Sequence, residues 1–201
     1  ICNFLDEPKD EMMKVWKREF HFLKIKFNIN EVRIAPKFSK LRPPNFPTIR
    51  LSQLANLYNS QPNLFSKIIE AKTIDDLYLI FENISASEYW DNHFNFGKIS
   101  PVESQKLLSK DFIDLIIINA ILPIKYFYQK NHNPEIVDDI FDFYKHLKSE
   151  KNSILDEWKN LGVKFENALQ TQAFLYQYKT FCTQKKCLNC SIGFQLLKSH
   201  D

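Results

Sequence analysis

The chain is poor in glycine, with three in 201 residues. That scarcity argues against hairpin-rich all-β folds, which use glycine wherever a tight turn needs positive φ. It also lacks any apolar run long enough to span a bilayer, since the stretch around Leu115–Ile118 is interrupted by Asn119 and Pro123. No signal-peptide pattern opens it, so a cytoplasmic location without a membrane partner is expected. A phosphate-binding glycine loop, a G-x-S-x-G elbow and an H-E-x-x-H pair are missing too. No catalytic residue can therefore be assigned, and whether the chain is an enzyme stays open. No fixed-period repeat is present.

What is there reads as helix. A 44% hydrophobic and 25% charged composition is that of a globular protein. The expected fold is all-α, an irregular bundle of about nine helices with one short hairpin at most. One helical domain over 1–201 is expected, with division into 1–98 and 99–201 as the alternative. Because the chain opens on Ile1, it reads as the C-terminal part of a longer protein.

Residues 7–27 carry Met12, Trp16, Phe20, Leu23 and Phe27 at three- and four-residue steps, which predicts an amphipathic helix with this stripe inward. The prolines at 36, 43 and 44 predict an extended loop over 28–46. Helix resumes at Pro47 with Ile49, Leu54, Leu57 and Tyr58 as its stripe, and a short helix follows Pro62. Thr73 and Asp76 form a start signal for the next, and SEYWDNHFNFGK (87–98) is an ordered loop or hairpin. A long central helix from Ser109 to about Gln129 should kink at Pro123. Asn133-Pro134 opens a helix with Ile136, Val137, Ile140, Phe141, Tyr144 and Leu147 inward. Asn152 caps another that closes at Gly162, and two more cover 167–181 and 187–198.

Net charge is +3, unevenly spread. Residues 24–50 hold seven bases against Glu31, and 167–200 hold four lysines and no acid, while 51–166 is net negative. The two basic segments either join as an anion-binding patch or neutralise the acidic middle. Within the first, RPPNFPTIR (42–50) delivers Arg42, Asn45 and Arg50 to a helix start, where an anion is favoured; the alternative is a clamp holding the loop to the body. Lys185 and Lys186 supply the second part of the candidate anion surface, for which nucleic acid is one partner.

Cys182, Cys187 and Cys190 form a C-x4-C-x2-C cluster. Three thiolates of that spacing suit zinc or an iron–sulfur cluster, with Cys2, His200, His21 or His93 as fourth ligand; buried or free thiols are the alternative. Asp138, Asp142 and His146 recur at four-residue steps on one helix, an acid–base spacing that reads here as a solvated face. The eighteen phenylalanines and eight tyrosines read as core rather than as base-stacking platforms.

The segments RPPNFPTIRLSQLANLY (42–58), YWDNHFNFGK (89–98), KDFIDLIIINAILPI (110–124) and CTQKKCLNCSIGFQLLK (182–198) together resemble the C-terminal half of an uncharacterised bacterial family, domain of unknown function family 2851. The resemblance implies a more β-rich N-terminal half as the chain's partner, where catalytic residues of the whole protein would lie. It places Arg42, Asn45, Arg50, Cys182, Cys187 and Cys190 in the recognisable motifs. The functional expectation is a helical binding or scaffold module with an anion-binding surface. The rivals are an accessory domain of a metal-dependent hydrolase or nuclease, and a purely structural domain.

Overall fold

Asparagine, aspartate and proline set most of the helix boundaries. In the computed structural model, which describes residues 9–30 and 36–198, helix α1 runs Glu11–Phe27. Its start is fixed by Asp10, whose Oδ1 accepts from the Met13 N–H at 2.8 Å, and its end by Asn28 in the left-handed region. The loop that follows is irregular except for a 3-10 turn at Pro43–Asn45. Helix α2 (Pro47–Ser60) begins on its proline, and α3 (Leu64–Glu70) follows Asn63.

Helix α4 (Ile74–Phe81) opens on a reciprocal cap. Asp76 Oδ2 accepts from the N–H groups of Lys72 and Thr73, both at 2.9 Å, and Thr73 Oγ1 accepts from Asp76 N–H. Strands β1 (His93–Asn95) and β2 (Lys98–Ile99) make one small antiparallel hairpin. Helix α5 (Lys110–Ile116), a π-helical turn (Ile117–Ile121) and α6 (Leu122–Gln129) form one continuous rod. A π turn lies just ahead of Pro123, where Leu122 N–H reaches back to Ile117 O.

Helix α7 (Ile136–His146) starts two residues later than Asn133-Pro134 implied, while Asn152 and Asn167 cap α8 (Ser153–Asn160) and α9 (Ala168–Gln177) as N-caps. A second π turn, Tyr178–Cys182, prolongs α9; a 3-10 turn at Cys187–Asn189 precedes α10 (Ser191–Lys198). With α5 and α6 joined, the ten α-helical segments make nine rods among the described residues, and the all-α expectation holds.

Two compact units are present: Ile1–Leu64 with Phe81–Ser109, and Phe65–Ile80 with Lys110–Asp201. In the first, Met13, Ile49, Ala86, Trp90 and Phe96 form the core, with Trp16, Phe46, Tyr89 and Phe94 packed against it. Asp10 ties this core to the hairpin: its Oδ2 accepts from the Tyr89 hydroxyl and, at 2.7 Å, from Gly97 N–H. Burial alone would raise the Asp10 pKa, but these donors and Met13 N–H outweigh it and hold the carboxyl below its ordinary value.

The inward stripe expected for α1 is only partly right. Met13 is fully buried, yet Leu23 and Phe27 are exposed. Helix α2 differs more, because its buried face is largely polar: Thr48, Ser52 and Gln53 lie inward beside Ile49 and Leu57, while Leu54 and Tyr58 face solvent. Each of those polar groups has a distant partner. Thr48 Oγ1 donates to Phe94 O at 2.7 Å, Gln53 Nε2 donates to Lys106 O at 2.7 Å, and Ser52 Oγ accepts from Ser87 N–H at 3.0 Å.

In the second unit, Ile136, Ile140 and Phe143 are the buried face of α7 and Leu147 is buried just past its end; Val137 and Phe141, expected inward, are exposed. The Tyr144 hydroxyl donates to Ile118 O at 3.0 Å, and the Tyr78 hydroxyl donates to buried Asp114 at 2.7 Å. Among the described residues no helix is long and apolar enough to cross a membrane.

Candidate functional site

The cysteines do come together. Cys182 at the end of the second π turn, Cys187 at the start of the 3-10 turn and Cys190 ahead of α10 all line one cavity of about 160 Å³ with Trp158, Gln177, Phe181, Ile192, Gly193 and Leu196. Lys185, in the left-handed region, turns the chain between Cys182 and Cys187. Gly193 is required by space, since a Cβ there would lie 2.5 Å from Cys187 O.

The sulfurs differ. Cys182 and Cys187 are exposed and Cys190 is buried. Cys190 Sγ accepts from Gln177 Nε2 at 2.7 Å and from Gly193 N–H at 3.4 Å. Burial, and then the neighbouring Cys190 and Cys187, push the Cys182 thiol pKa up. Among the described residues no group of three or more His, Cys, Asp or Glu side chains is arranged to hold a metal ion. Cys2 and His200, offered as fourth ligands, lie outside the described residues. His21 is exposed on α1, and His93 stacks on Tyr89 in the first unit, with Nδ1 2.9 Å from Tyr89 O.

The arginine loop divides by role. Arg50 is half-buried and donates to Gln53 Oε1 at 2.9 Å and to Asn45 Oδ1 at 2.5 Å, so it clamps the 3-10 turn to α2 through neutral amides. Arg42, Lys37 and Lys40 are exposed on the same loop. Arg42, Asn45 and Arg50 belong to the first unit; Lys185 and Lys186, both exposed, belong to the second.

On α7, Asp138, Asp142 and His146 are exposed, as a solvated face requires. Asp142 and His146 nevertheless line a cavity of about 930 Å³ in the second unit, together with Asp139, Asp75, Lys72 and Lys125. Lys125 is buried, and its ammonium donates to the carbonyls of Ile68, Ile69 and Ala71 at the end of α3. Burial lowers its pKa, against the opposing pull of Asp139 and Asp76. Its place in the cavity wall is structural, since its donors already have partners.

Periodicity gave no warning of a cleft in the first unit. About 390 Å³ in volume, it is lined by Trp16, Thr48, Leu51, Ser52, Ala55, Asn56, Ser87, Trp90 and Phe96, none of them charged. The rings of Trp16, Trp90 and Phe96 stand 5.2–6.0 Å apart, between centroids, at steep mutual angles. Asn56 Nδ2 donates to Ser85 O at 2.9 Å. The Trp90 indole N–H is fully buried and has no hydrogen-bond partner among the described residues. The dense aromatics of 89–96 were the one signal in the sequence, and they point equally well to core.

A family model described as "Protein of unknown function (DUF2851)" matches residues 1–153. Both units contribute to that stretch, and three of the four resembling segments lie inside it; the cysteine segment lies beyond its end. No curated protein matches the chain, and no solved structure does.

Proposed function

We propose that this chain, which belongs to the DUF2851 family, is a ligand-binding helical protein whose aromatic cleft in the first unit takes an uncharged apolar group, an aromatic ring or a branched acyl chain. The observation that carries this reading is the lining: three aromatic rings and Leu51, interrupted by hydroxyl and amide groups but by no charge. A volume of about 390 Å³ lies within the range of small-molecule sites, about 300–1,000 Å³, which are likewise mostly apolar with a few placed polar groups. A charged ligand would be stripped of water there without a counter-charge.

The test is titration with the neutral fluorophore N-phenyl-1-naphthylamine, read by energy transfer from tryptophan. Saturable binding that is lost on filling the cleft with Ala55→Trp, and is insensitive to salt, is the expected outcome. Equal binding by wild type and Ala55→Trp would overturn the assignment of the cleft.

The exposed Lys37, Lys40 and Arg42 support a second reading, an anion surface on the loop before α2. It requires binding of single-stranded nucleic acid that weakens steeply with salt. Lack of any salt-dependent binding removes it.

A further inference from the structure

We propose that Cys187 and Cys190 form a reversible disulfide by exchange with a low-molecular-weight disulfide, the buried Cys190 sulfur acting as the resolving nucleophile. The backbone places them for it. Cys190 N–H donates to Cys187 O at 3.2 Å, closing the 3-10 turn, and a turn of this kind holds its first and fourth Cα atoms within about 7 Å. That separation falls in the range a disulfide bridges. Both residues line the same small cavity of about 160 Å³.

The two positions suit the two steps. Cys187 is exposed, and the thiolate there attacks one sulfur of the incoming disulfide R–S–S–R, giving Cys187–S–S–R and releasing R–S⁻, which takes up a proton. Exposed Lys185 and Lys186, immediately upstream, attract a reagent that carries carboxylates. Cys190 then attacks the Cys187 sulfur and expels the second R–S⁻. Its sulfur is prepared for this as an acceptor of the Gln177 amide and the Gly193 N–H, at the N-terminus of α10, where negative charge is favoured. Overall, R–S–S–R and two cysteine thiols become two R–SH and one Cys187–Cys190 bond, so the chain is oxidised by two electrons and the reagent reduced by the same two.

The experiment treats the reduced full chain with glutathione disulfide and follows intact mass and peptide maps. The expected product lacks two hydrogen atoms relative to the reduced chain, with the bond mapped to Cys187–Cys190. Cys190→Ser should stop at the mixed disulfide on Cys187, and Cys182→Ser should react as wild type does. Gln177→Leu should slow the second step about tenfold, the weight of one hydrogen bond to a charged acceptor, and leave the first unchanged. A bond mapped to Cys182, or a wild type that stops at the mixed disulfide, overturns the proposal. So does stoichiometric zinc, retained by protein purified without chelator, that blocks all three thiols.

Discussion

The ammonium of Lys125 lies 2.7 Å from the carbonyl oxygen of Ala71, and the same group donates to Ile68 and Ile69, closing the end of α3 with a side chain from a helix more than fifty residues away in sequence. Lys125→Met keeps the length of the stem and takes the ammonium from three carbonyls, of which Ile69 O retains the Gln129 amide at 3.3 Å. A loss of about 1–3 kcal/mol is expected in urea unfolding. Because burial lowers the folded-state pKa, the unfolded chain holds this proton more tightly, and the wild type should gain stability relative to Lys125→Met as pH rises from the lowered value towards the ordinary lysine pKa. A flat difference between the two proteins over that alkaline window would contradict the assignment.

Asp10 acts in the opposite pH range. Its carboxylate gathers the Met13 and Gly97 N–H groups and the Tyr89 hydroxyl. With its folded-state pKa lowered, its contribution is present above the ordinary aspartate pKa and is lost as pH falls through the folded value. Asp10→Ala should cost about 1–2 kcal/mol at neutral pH. The difference from wild type should vanish in acid denaturation.

Gly193→Ala tests the cysteine turn. The added Cβ meets a backbone oxygen, not a flexible side chain, so the turn must shift. The expected result is a local cost of about 1–3 kcal/mol, seen as faster proteolysis within 183–198 while the rest of the chain stays resistant.

The arginines should separate in mutation. Arg50→Ala removes the clamp to Asn45 and Gln53 and should lower the melting temperature, whereas Arg42→Ala should leave it unchanged. If the loop binds nucleic acid, Arg42→Ala reduces the salt slope by about one. Titrations at several salt concentrations, alongside thermal melts, read both effects.

Local chemistry was legible in the sequence wherever a side chain caps its own helix. The reciprocal cap at Thr73 and Asp76, the N-cap at Asn152, the first-turn Pro47 and the left-handed Gly162 all stand where the residue types put them. What periodicity misread was burial of polar groups. Ser52 and Gln53 face inward because Ser87 and Lys106 O, more than thirty residues away, satisfy them, and no pattern within α2 encodes those partners. Likewise the cysteine spacing did not determine whether the three thiols meet. That depends on the π turn and the left-handed Lys185, which together bring Cys182 back beside α10.

The two π turns amount to frameshifts in space. Each turn takes up one residue more than an α-helical turn would, so everything downstream is rotated by about 100° from the phase its sequence position alone assigns. In the central rod that offset falls between Ile113 and Lys125, and at the end of α9 it falls on the way to Cys182. A homologous chain with one residue deleted at either place would keep its composition and its helix, yet aim a different side chain at α3 or into the thiol cavity.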